Sequence, residues 1–134
     1  MESISIGEIQ LSKVPIPLIN YVNLIIKKSF PYYDIVKFLL MEMEIHYQNA
    51  QKEGMSEIVY TINPRMLQEE IQKMIKSDKI TTVNICRTIL AFFHLAGLKE
   101  REDFFITTTS SGRKNYHVKV TPQTFNLLLK PLLV

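Results

Sequence analysis

The chain has 134 residues, 46% hydrophobic and 22% charged, with 16 basic and 13 acidic side chains for a net charge of +3. That length predicts one domain with one sizeable core, and the composition excludes a disordered chain. Apolar runs such as Val36 to Met41 stop well short of the ~18–20 residues of a membrane span, and the single cysteine, Cys86, excludes an intrachain disulfide and a cysteine zinc cluster.

Residues 1–14 alternate loosely (Ile4, Ile6, Ile9, Leu11) and predict an extended arm. No basic stretch leads into an apolar core there, so a secretory leader is not expected and a cytoplasmic location is. Pro15 and Pro17 let a helix start near Pro17. Its apolar residues, from Leu18 through Ile26, face most directions, so the helix needs cover on all sides. Pro31 interrupts it. A second helix over about Tyr33 to Lys52 carries Ile35, Val36, Phe38, Leu39, Leu40, Met41, Met43 and Tyr47 on a wide buried face and ends at Gly54. Ser56 to Ile62 reads as a short strand.

Asn63-Pro64 is a helix start, followed by the stripe Met66, Leu67, Ile71, Met74 and Ile75. Ser77-Asp78-Lys79 is a polar break. Thr81 or Thr82 caps the next helix, whose apolar residues are Val83, Ile85, Cys86, Ile89, Leu90, Phe92, Phe93 and Leu95, with a stop at Gly97. The pattern then alternates over 104–109 and again over 116–121, around a polar turn at 110–115 that carries Gly112, Arg113, Lys114 and Asn115. This predicts a β-hairpin with a basic tip. Pro122 opens a closing helix that Pro131 limits.

Over residues 33–121 the order helix, short strand, helix, tight turn, helix, hairpin resembles a winged helix-turn-helix domain. The stretch from Leu90 to Arg101 resembles that superfamily's exit from the recognition helix into the first wing strand. Gly112 to Tyr116 resembles a wing ending on an aromatic strand residue, and Thr121-Pro122 resembles the junction to the last helix. The layout is similar to regulators of the MarR and ArsR kind and to archaeal or plasmid-borne relatives. The resemblance implies an α+β, mainly helical fold, with a winged core at 33–121, an N-terminal arm and helix at 1–32, and a C-terminal helix at 122–134. It also implies sequence-specific binding of double-stranded DNA, with helix 81–95 in the major groove and the 110–116 wing on the backbone.

The residues offer chemistry for such a role. Residues 1–67 hold six basic and seven acidic side chains, whereas 68–134 hold ten and six, and no carboxylate side chain follows Asp103. A polyanion would dock on this second half. Asn84, Arg87, Thr88 and Ala91 share one helix face by their spacing. Arg bonds guanine bidentately and Asn does the same for adenine. The expected major-groove set is therefore Thr81, Thr82, Asn84, Arg87 and Thr88; an ordinary wet side of an amphipathic helix would look the same. Asn63 and Arg65 open a helix whose free amides suit a phosphate, or else Asn63 simply caps it. Arg113, Lys114 and Asn115 are the expected wing contacts to phosphate or minor groove.

The flanking helices are very apolar and predict either a homodimer, with two reading helices on half-sites, or a lid folded onto their own domain. Glu42 and His46 stand at i, i+4, a spacing that could hold a metal, but two ligands are not a site. Cys86 sits on an apolar run as a core residue would. No phosphate loop, nucleophile elbow or Cys-x-x-Cys occurs, so neither an enzyme nor a cofactor or metal is expected. The leading expectation is a nucleoid-associated transcriptional regulator; a role in plasmid or chromosome replication or segregation uses the same module. The other class is a winged helix serving as a protein-interaction module of a larger assembly, which the low net charge and apolar 81–95 helix favour.

Overall fold

Residues 82–96 are apolar on most sides, and in the computed structural model they form the helix around which the other elements pack. The structure describes residues 5–6, 9–10, 14–76 and 80–133, with side chains over 14–76 and 80–130. Two short paired strands, β1 (Ser5–Ile6) and β2 (Ile9–Gln10), precede helices α1 (Ile16–Ile26) and α2 (Tyr32–Lys52). Strand β3 (Ile58–Ile62), α3 (Pro64–Ile75) and α4 (Thr82–Ala96) follow. Strands β4 (Phe104–Thr108) and β5 (Lys114–Val120) and helix α5 (Pro122–Leu133) complete the chain. Among the described residues the fold is α+β and mainly helical, with five helices and an antiparallel sheet in the order β3–β5–β4. The polar break Ser77-Asp78-Lys79 lies outside the described residues.

Both ends of α4 are closed by local chemistry. Thr81 Oγ1 accepts the Asn84 amide at 3.1 Å, satisfying one of the helix's unpaired donors. At the other end Gly97 takes φ 79°, a left-handed conformation that costs glycine no Cβ clash. The Gly97 and Leu98 amides then donate back to the His94 and Phe93 carbonyls. Between these caps Ile85, Ile89, Phe92, Phe93 and Leu95 are fully buried. Phe93 packs on Phe104 of β4 at 4.7 Å between ring centroids. Of the two faces of β5, the one carrying Tyr116, Val118 and Val120 is buried, as alternation requires. On its other face the His117 ring nitrogens reach Thr61 Oγ1 at 2.9 Å and Thr107 Oγ1 at 2.8 Å, tying three strands together.

Several expectations are corrected. Helix α1 stops at Ile26, well before the interruption expected at Pro31. Helix α5 continues past Pro131 to Leu133. On α3 the buried residues are Pro64, Leu67 and Ile71, while Met66 and Met74 are more than half exposed. Lys114 and Asn115 are not at the hairpin tip: they belong to β5, opposite Thr108 and Thr107. The turn is shorter, spanning 109–113, because Thr109 organises it. The Thr109 amide donates to the Arg113 carbonyl at 2.7 Å, and Thr109 Oγ1 accepts the Arg113 amide at 3.1 Å.

The apolar excess of the flanking helices is used within the chain. Leu18, Tyr21, Val22 and Ile25 of α1 are buried, and α1 lies against α4 and α2. Leu128 of α5 is fully buried, and α5 contacts α4, β5 and α2. Thr121 and Thr124 fix its start reciprocally: each hydroxyl accepts the other's amide, at 3.1 and 2.7 Å. The buried residues of α1 and α5 therefore cover their own domain.

Candidate functional site

The first turns of α3, the outer face of α4 and the β4–β5 hairpin enclose a groove of about 1200 Å³. Asn63, Arg65 and Gln68 line it from α3; Val83, Cys86, Arg87, Leu90 and His94 from α4; and Gly112, Arg113, Lys114 and Tyr116 from the hairpin. Leu98, Lys99, Glu100 and Phe104 extend it along the exit from α4, and Leu18 closes the end beside α1.

The relation of α3 to α4 is set by Gln68. Its Nε2 donates to the Ile80 carbonyl at 3.0 Å, while its Oε1 accepts from the Thr82 hydroxyl. Gln72 adds a second donor to the same carbonyl at 3.3 Å. One amide side chain thus spans the turn between the two helices and presents their ends to the groove together. Nothing in the spacing of the sequence marked Gln68, which sits on the wet side of its helix pattern.

Charge in the groove is one-sided. Five cations line it (Arg65, Arg87, Lys99, Arg113 and Lys114) against one carboxylate, Glu100. The groove thus concentrates more net positive charge than the whole chain's +3. All five cations are exposed. Among the described residues the ion pairs are Glu42–His46 at 3.8 Å and Glu70–Lys73 at 3.9 Å, and neither involves a groove cation. Unneutralised charge in a concavity focuses the field on whatever anion enters.

Two titratable groups in the wall are shifted. Burial holds His94 below its ordinary pKa of 6.5, and Glu100 opposes this only in part. The Tyr116 phenol is pushed up by burial first, then by its hydrogen bond to the Cys86 thiol. A wall with a neutral imidazole and a neutral phenol leaves the guanidinium and ammonium groups to set the field.

The expected site residues are only partly brought together. Asn63, Arg65, Thr82, Arg87, Arg113 and Lys114 line the groove. Thr88 does not: it is fully buried, with its hydroxyl donating to the Asn84 carbonyl at 2.7 Å. Ala91 is fully buried as well. Asn84 is half-buried and its Oδ1 accepts from the Tyr21 hydroxyl, so α1 occupies that side of α4. Thr81 is the cap and Thr82 is bonded to Gln68. Asn115 is paired in β5 away from the lining. Asn63 Oδ1 accepts the Arg65 and Met66 amides at 3.1 and 3.2 Å, so Asn63 acts as a cap and these two amides are already satisfied.

The open face of α4 is instead Val83, Cys86, Arg87, Leu90 and His94, turned by roughly one residue, or 100°, from the expected stripe. Val83, named among the apolar residues of this helix, is 56% exposed. The spacing of these residues was readable, but their apolar character argued for burial.

Glu42 and His46 lie on α2, remote in sequence from the groove lining, with the His46 ring against Tyr60 at 5.4 Å. Among the described residues, no three His, Cys, Asp or Glu side chains gather as a metal site. No described helix is long and apolar enough to cross a membrane. The chain matches no protein-family model, no curated protein and no solved structure.

Proposed function

We propose that this chain is a sequence-specific double-stranded DNA-binding protein, with α4 entering the major groove and the β4–β5 hairpin on the backbone. The observation that carries this reading is the groove's five cations, none of them in an ion pair among the described residues, beside the partly exposed face of α4. A second support is topological. The order α2, β3, α3, α4, hairpin, with β5 between β3 and β4, is consistent with the layout of a winged helix, in which the second helix of the pair reads bases. The role is that of a transcriptional regulator, a binding protein rather than an enzyme. A homodimer on the DNA would place two α4 helices on half-sites one turn apart, and solution mass with and without duplex decides between one copy and two.

Salt titration of binding to a random-sequence duplex tests the proposal. Engaging Arg65, Lys99, Arg113 and Lys114 with phosphates, and Arg87 with a base edge, gives a slope of log K against log salt of about −3.6. Lys114→Ala should weaken every sequence alike and reduce that slope by about one. Absence of duplex binding at low salt would overturn the reading. In its place would stand a winged helix used for protein interaction, which the apolar part of the groove wall (Val83, Leu90, Leu98) favours.

A further inference from the structure

The side of α4 that opens into the groove is poor in free hydrogen-bonding groups. Val83, Arg87, Leu90 and His94 recur at i, i+4, i+7 and i+11 on one face, and only Arg87 among them is both polar and exposed. Asn84 and Thr82, which could have read bases, are bonded to Tyr21 and Gln68. Val83 is the second residue of the helix and stands 56% exposed in a cationic wall. The charge calls for a polyanion, while Val83 calls for an apolar group on that polyanion. In the major groove of B-DNA the apolar feature of the base edges is the 5-methyl group of thymine, and the N-terminal residues of an inserted helix are the ones that meet base edges.

Resting on the DNA-binding reading above, we infer that α4 selects thymine by its methyl group through Val83, with Arg87 one turn on reading an adjacent guanine. Leu90 continues the apolar surface next to Arg87. Specificity is then carried by shape and methyl burial around a single guanidinium rather than by a row of amide side chains.

The test uses the full chain at low salt with two probes, a repeating d(TG)·d(CA) duplex and the same duplex with deoxyuridine in place of every thymidine. The exchange removes the methyl groups and leaves the phosphate charge and base hydrogen-bonding pattern in place. Each methyl buried against the protein should make the uridine duplex about fourfold weaker. Val83→Ala, at an exposed position, should bind both duplexes with a ratio close to one. Equal affinity of the unaltered protein for the two duplexes overturns the inference and leaves DNA binding standing. A full ratio in Val83→Ala overturns the role of Val83. Failure to bind either duplex removes the DNA-binding reading and this inference with it.

Discussion

The Tyr21 hydroxyl donates a 2.7 Å hydrogen bond to Oδ1 of Asn84, joining α1 to the first turn of α4. The bond makes Asn84 a structural residue. Tyr21→Phe should cost about 0.5–1.5 kcal/mol, the worth of a typical intramolecular hydrogen bond. Asn84→Ala should cost a similar amount, and the two together less than their sum, because they remove the same bond. Urea unfolding of the four proteins gives the coupling, and full additivity would show that the bond contributes nothing.

Adjacent residues on α4 should separate binding from folding. Arg87 is exposed in the groove, so Arg87→Ala should leave stability within about 0.5 kcal/mol. It should cost about 1–3 kcal/mol of binding and relax sequence preference. Thr88 is fully buried, so Thr88→Val should shift stability by about 1 kcal/mol and leave preference unchanged. Selection from a random duplex pool with each variant, together with melting curves, reads both effects. A preference altered by Thr88→Val would mean that α4 faces the other way.

Gln68 bridges the α3–α4 turn through Ile80 and Thr82. Replacing it with leucine keeps the bulk but removes both bonds, and unfolding should become easier by about 1–3 kcal/mol. Duplex binding should weaken as well, because the two helix ends lose their fixed relation. A variant with unchanged midpoint and affinity would show that the turn is held without it.

His94 gives opposite pH signs for stability and binding. Its folded pKa lies below the ordinary 6.5, so the unfolded chain takes up the proton more readily. The stability it contributes is complete above 6.5 and is lost as pH falls through the lower folded value. Phosphates in the groove would favour the imidazolium, so duplex affinity should rise as pH is lowered from neutrality. Urea midpoints and anisotropy across this range should show the two trends, and His94→Gln should flatten both.

The element order was legible because the breaks are chemical. Asn63-Pro64, Thr81, Gly97 and Thr121-Pro122 each start or stop a helix where the structure has one. The alternation of Tyr116, Val118 and Val120 fixed which face of β5 is inward. The rotation of α4 was not legible. Its polar residues Asn84 and Thr88 find internal partners, in the Tyr21 hydroxyl and a backbone carbonyl, while Val83 faces water. Polarity alone cannot tell a satisfied buried group from an exposed one. Gln68 was missed for the same reason: its partners, Ile80 and Thr82, lie 12 and 14 residues away across a turn.

Because α1 lies along α4, the smallest autonomous folding unit is larger than the helix–strand–helix–helix–hairpin motif. Trimming the chain to begin at residue 33 would retain every motif element yet strip Leu18, Tyr21, Val22 and Ile25 from the central helix. Apolar surface meant for the interior would then meet water, and such a fragment would be prone to self-association. Clumping of a truncated version would report the missing strap and not a natural habit of the intact molecule.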